Sequence, residues 1–139
     1  MKRKEWSALI ARYGRDEAIE FFETHKNDLD FEVISGPELG LTMVKMREHA
    51  QNSLFYIGEV LITETKIRSG QTVGVGLIKG EDETFSLALS FIDLVNKCSE
   101  FTEEFNMMIE KLSAIEDENV KERTERILQT KVSFDMMND

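Results

Sequence analysis

In "VGVGLIKGED", residues 73–82, a strand-like run ends in Lys79 and Gly80 and passes directly into a helix that Asp82 is placed to cap. Such a junction can present backbone N–H groups and the positive end of a helix dipole to an anion. The spacing is neither GxxxxGK[ST] nor a dinucleotide fingerprint, and Glu81, Asp82 and Glu83 put negative charge where a phosphate would sit. A capped helix start is therefore the expected use of Asp82. The two histidines are far apart: His25 ends a helical pattern, where a cation complements the dipole, and His49 lies in a polar interval. Both read as surface side chains. No HExxH or CxxC occurs, and Cys98 falls on the apolar stripe of a helix, which points to a buried structural thiol. No catalytic residue, metal ligand set or cofactor is expected from these residues.

Charge and length narrow the classes further. The chain has 139 residues, 17 Lys and Arg against 27 Asp and Glu, and a net charge of −10. Binding to nucleic acid or to an anionic membrane depends on clustered cations that neutralise phosphate, so both are disfavoured. The length suits one domain, 1–139, with a core large enough to need neither disulfide nor metal. A single cysteine, no signal-peptide pattern and no long apolar run indicate a soluble cytoplasmic protein. The acid-rich stretch Glu100–Glu118 reads as a solvated helix face.

The elements that must carry these residues follow from apolar spacing. Trp6, Leu9, Ile10 and Tyr13, then Ile19 and Phe22, recur at helical intervals around a break at Gly14, with Asp16 a plausible N-cap. "DFEVISGPELGLTMVKMRE" reads as two extended segments around a Gly36-Pro37 turn. "FYIGEVLITETKIR" is a strand that joins "VGVGLIKG" through the hairpin "SGQT". Phe85, Ala88, Phe91 or Ile92, Val95 and Cys98 then line a helix, Phe101–Ile115 continue it after a bend, and Asp117–Thr130 form a separate peripheral helix before a short tail. This order predicts an α+β fold: N-terminal helices, a roughly four-stranded antiparallel sheet, and C-terminal helices packed on it. The strand at Phe55 is apolar on both faces as far as Ile62 and polar from Thr63 to Arg68. An apolar strand of that kind needs cover on both faces, from helices of its own chain on opposite sides of the sheet, from a partner, or from a homodimer.

The segments together resemble the PhnG subunit of the carbon-phosphorus lyase system of phosphonate breakdown. The resembling stretches are Trp6 followed by "ALIA", "DFEVISGPELGLTMVKMRE", "FYIGEVLITETKIR", the hairpin into "VGVGLIKGED", "IDLV" in the next helix and a terminal "VSF". Their order and spacing extend over nearly the whole chain. The chain departs from the family pattern at Val75, Gly76 and Leu77, where the family often carries His and Tyr or Trp. It departs again at Phe85-Ser86-Leu87, where "HAE" is usual, and in the terminal "FDMMND".

The resemblance implies a non-catalytic or co-catalytic subunit of a cytosolic assembly, with PhnI-like, PhnH-like and PhnJ-like partners. With PhnH, PhnI and PhnL the family supports formation of ribose 1-methylphosphonate 5-triphosphate from ATP and methylphosphonate with release of adenine. Residues carried over by position are Arg47, Glu59, Thr63, Arg68 and Asp82. To these the apolar strand adds Tyr56, and the set is expected at an interface or near substrate. Cross-strand pairing for Glu59 and Thr63, and a hairpin-end charge for Arg68, are the plainer structural uses. The competing expectation is a homodimeric small-molecule binding protein, which would enclose an apolar cavity.

Overall fold

Glycine at alternate positions of a strand leaves one face without side chains, and a helix can then lie unusually close to it. The computed structural model describes the backbone of residues 2–47 and 54–137 and the side chains of residues 2–43 and 58–130. In it, β3 (Thr72–Lys79) turns Gly74 and Gly76 toward α3 (Glu83–Lys97). A Cβ on Gly76 would fall 2.6 Å from Ser90 N and closer still to Ser86 O, and one on Gly74 would fall 2.7 Å from Leu94 Cβ. Val73, Val75 and Leu77 therefore face away from the helix. Most of the apolar side chains of this strand are on its outer side, Ile78 alone being buried beside the glycines.

The remaining elements are α1 (Arg3–Tyr13), α2 (Arg15–His25), β1 (Glu32–Arg47), β2 (Leu54–Ser69) and α4 (Thr102–Met137). Among the described residues they give four helices and one antiparallel sheet in the order β1-β2-β3. The fold is thus α+β, with three strands where sequence patterning gave about four. The difference lies at Gly36-Pro37, which does not turn the chain. Gly36 takes φ +82° inside β1, and the chain makes five steps from Val33 to Glu38 while β2 makes three from Ile67 to Glu64. Two successive irregularities absorb the extra residues, and one 16-residue strand results.

The helices lie on one side of the sheet. α3 covers β2 and β3; its residues Phe85 to Val95 are buried with the single exception of Leu87, because α2 closes over its other side. A helix buried all round has no single stripe, which corrects the one-sided pattern expected for it. Phe91 is the hub, with ring centroids 5.4 Å from Phe22, 5.5 Å from Phe31 and 6.2 Å from Phe21. α1 packs on the first half of α4, where Trp6 meets Phe105 edge to face at 5.5 Å. Of the alternatives for covering the sheet, helices of the chain's own on opposite faces is not the one adopted: among the described residues, the helix–sheet packing is through α3 on one face.

Three further expectations change. Phe101–Ile115 and Asp117–Thr130 are not separate helices, since α4 runs unbroken through 36 residues, about 54 Å at the ordinary helical rise. Its apolar contacts end near Ile115, and from Lys121 to Thr130 every side chain is exposed. Cys98 is half-buried at the C-terminal end of α3 instead of lying in the core. Gly14 does separate α1 from α2, but α2 begins at Arg15, so Asp16 sits in its first turn and does not cap it.

Candidate functional site

The junction singled out in the sequence, Lys79-Gly80-Glu81-Asp82, is a dense polar knot. Thr63 is fully buried on β2, its hydroxyl donating to Gly80 O at 2.6 Å and accepting from Asp82 N–H at 3.1 Å. Asp82 caps α3 by accepting Phe85 N–H at 3.2 Å. Its carboxylate also takes two hydrogen bonds from Arg15, Nε at 2.7 Å and Nη2 at 3.2 Å. The Arg15 guanidinium holds the Asp82 carboxyl below its ordinary range against the opposing effect of burial, and the Phe85 N–H adds to the lowering. Arg15 is in turn pushed further above its ordinary value, chiefly by the same hydrogen bonds. Cap, threonine and arginine satisfy one another, so the helix N-terminus here is closed by the chain's own groups.

A second cluster escaped the sequence reading. Asp93, on α3, is only 1% exposed. It accepts Val75 N–H at 2.9 Å and pairs with Arg3 Nε at 3.0 Å and Lys97 Nζ at 3.1 Å. Lys97 also donates to Val73 O at 2.7 Å, and Arg3 to Val75 O at 3.4 Å. Side chains thereby occupy Val73 O and both backbone groups of Val75 on the edge of β3 away from β2. An unpaired edge invites another strand, and this one is blocked there. The signal available in the sequence was a lone acid in the apolar run "FIDLV", one turn before Lys97.

The other predicted residues do not converge. Thr63 and Asp82 meet, as described, but Glu59 is exposed on β2 opposite Met43, and Arg68 is exposed at the far end of β2, paired with Glu32. Nine residues of extended chain, roughly 30 Å, separate Glu59 from Arg68. The side chains of Tyr56 and Arg47 lie outside the described residues; their backbones pair with Lys45 and Leu54 across the β1–β2 ribbon. His49 lies outside as well, as do the side chains of Met136 and Met137. His25 is tucked against Phe101, ring centroids 4.4 Å apart, and is not a free surface histidine. Among the described residues no group of three or more His, Cys, Asp or Glu is placed to hold a metal, and no helix is long and apolar enough to cross a membrane.

What the strand at Phe55 faces is now visible from its second half. The polar residues Thr63 and Thr65 are buried along with Ile67, because α3 covers them, and the Thr65 and Ser86 hydroxyls are hydrogen-bonded at 2.9 Å. The last rung between β2 and β3 is Ile62↔Lys79. Beyond it β1 and β2 continue as a two-stranded ribbon past the end of α3, with Leu41, Met43 and Leu61 exposed on its helix-side face. On the outer face, Leu77 is also exposed.

The fold and these clusters define a small α+β protein whose buried polar groups satisfy its own packing and whose unburied apolar side chains sit on an open sheet face, a ribbon and an overrunning helix. The family model for phosphonate metabolism protein PhnG matches residues 1–138. The chain belongs to the PhnG family and is a phosphonate metabolism protein.

Proposed function

We propose that this chain is a non-catalytic or co-catalytic subunit of a cytoplasmic carbon-phosphorus lyase core complex. With PhnH-, PhnI- and PhnL-like proteins it supports the step in which methylphosphonate displaces adenine from ATP, giving α-D-ribose 1-methylphosphonate 5-triphosphate. The observation that carries the reading is the family match together with the uncovered outer sheet face. There Val73, Val75 and Leu77 form an apolar stripe paired with Arg68, Lys66 and Glu64 of β2, an apolar centre with a charged margin of the kind partner surfaces use. In this reading Arg68 belongs to that margin, and a PhnI-like subunit is the partner it meets.

Two measurements test it. Co-purification with the PhnI-like protein of the same organism should give a stoichiometric complex that Leu77→Lys weakens without altering the isolated chain, since Leu77 is exposed. A reconstituted mixture of PhnH-, PhnI- and PhnL-like proteins should release adenine from ATP and methylphosphonate only when this chain is added. Release at the same rate without it sinks the proposal. The homodimeric binding-protein alternative calls for an enclosed apolar cavity, whereas the described depressions, such as one lined by Arg3, Trp6, Val75, Leu77 and Leu89, are open to solvent.

A further inference from the structure

The clamp on the outer edge of β3 stops at Val75. Val73 O and both backbone groups of Val75 are taken by Lys97, Asp93 and Arg3. Every second residue of an antiparallel strand points its backbone groups to the same edge, so Leu77, two residues on, aims its N–H and C=O there as well. Among the described residues no side chain bonds to them. At this open rung lies a groove of about 330 Å³ between β3 and the first turns of α1. Its floor is apolar, formed by the buried Trp6 and Leu89 with Val75 and Leu77 alongside. Its rim is cationic, formed by Arg3 and Lys4. The Arg3 side chain is 55% exposed even while it pairs with Asp93, and Lys4 has no acidic partner among the described residues. In a chain of net charge −10, Lys2, Arg3 and Lys4 form a local run of three cations.

We propose that this groove binds the C-terminal tail of another protein, an extended peptide whose last two residues are apolar and whose carboxylate is free. A chain laid along the edge can exchange both ladder hydrogen bonds with Leu77, the mode of strand addition. It cannot continue along β3, because the groups of Val75 are already bonded. The tail therefore ends there. What stands at the stop is Arg3 with Lys4 beside it, and a terminal carboxylate forms charge-assisted bonds with such groups where a terminal ammonium would be repelled. β3 runs from Thr72 to Lys79, so a chain that ends on the Val75 side runs against it and the pairing is antiparallel. One carboxylate oxygen then accepts Leu77 N–H and the other faces Arg3. Successive side chains alternate across the edge, placing one beside Leu77 and the next toward Trp6 and Leu89. The volume lies at the lower end of the range for ligand sites, about 300–1,000 Å³, which fits a chain end and not a long strand.

The test uses the full chain, with its single tryptophan, Trp6, as the reporter. N-acetylated tetrapeptides ending in Val-Leu, Val-Phe or Ile-Val, each with a free carboxylate, should change Trp6 emission saturably. In amide-resolved NMR the Leu77 N–H should become protected from exchange. The corresponding C-terminal amides should bind about tenfold more weakly or worse, and so should the acids to Arg3→Gln. Lys97→Gln, which loosens the same clamp from outside the groove, should bind the acids as the parent does. No saturable change with any of the three acids overturns the proposal, and so does equal binding of acids and amides. N-acetyl-leucine binding as tightly as the tetrapeptides overturns the strand pairing and makes the groove a site for small apolar acids. An equal loss in Lys97→Gln and Arg3→Gln overturns the role of Arg3 as the carboxylate's partner. The PhnI-like protein takes no part in these readings, so the groove and the subunit reading stand or fall separately.

Discussion

Replacing Gly76 by alanine tests the central claim about packing, that β3 is glycine-rich so that α3 can approach. The added methyl would meet Ser86 O and sit 2.6 Å from Ser90 N, both helix backbone atoms that cannot swing aside as a side chain would. A relaxed contact needs about 3.5 Å, so α3 must retreat by about an ångström, and its contacts with β2 and β3 lose part of their dispersion energy together. Overpacking of this kind costs about 1–3 kcal/mol, and removing a strand glycine returns about 0.5–1 kcal/mol, leaving a net loss of about 1–2 kcal/mol. For a chain of this size that corresponds to a fall in Tm of roughly 4–8 °C. Urea unfolding followed by far-UV circular dichroism measures it directly. Gly40→Ala is the internal control: the nearest atom to its Cβ is Ile62 Cγ1 at 3.9 Å, and the change should be neutral or slightly stabilising. Gly74→Ala should resemble Gly76→Ala, and the double variant should cost less than the sum because one retreat of α3 relieves both clashes. A Gly76→Ala protein within about 0.5 kcal/mol of the parent, or strict additivity in the double variant, would refute the close-approach argument.

Three further outcomes are expected. Asp93→Ala leaves Val75 N–H without its acceptor and unclamps the β3 edge, so a loss of about 3 kcal/mol is expected in urea unfolding, while Lys97→Ala, whose charge is 41% exposed, should cost under about 1 kcal/mol. Asp93→Ala should also raise light scattering at high concentration, since a bare β3 edge pairs with other chains. Thr63→Val removes the hydroxyl shared by Gly80 O and Asp82 N–H and should cost about 1–3 kcal/mol, whereas serine at that position should recover most of it. Asp82 has a folded pKa below its ordinary 3.8, so its stabilising effect is present at neutral pH and is lost as pH falls through the lowered value. Unfolding curves between neutral pH and pH 3 should therefore show a shallower acid dependence in Asp82→Asn than in the parent; parallel curves would contradict the assignment.

Much of the element order was legible because it depends on local rules. The break at Gly14, the cap at Asp82, the hairpin through Gly70 and Gln71 and the change from strand to helical period after Lys79 are each set by a few neighbouring residues. The misreadings share another origin. Gly36-Pro37 looks like a turn in isolation and becomes an irregular step only because β2 is there to pair on both sides of it. The gap between Ile115 and Asp117 looked like a helix boundary because apolar spacing ends there, yet what ends is the packing against α1, while the helix itself continues. Asp93 was passed over because its partners are Arg3, Lys97 and the backbone of Val75, two of them distant in sequence.

Family membership, the α+β class and the acidic character were all determined by the sequence alone, because each follows from residue types in order. Which face of each strand is inner was not. In β2 the buried face carries Thr63 and Thr65 beside Ile67, and in β3 it carries Gly74 and Gly76 beside Ile78, so most of its positions are small or polar. The tertiary structure decided this through the close approach of α3: the glycines admit the helix backbone, the Ser86 hydroxyl meets that of Thr65 and donates to Gly76 O, and Val73, Val75 and Leu77 are left facing outward.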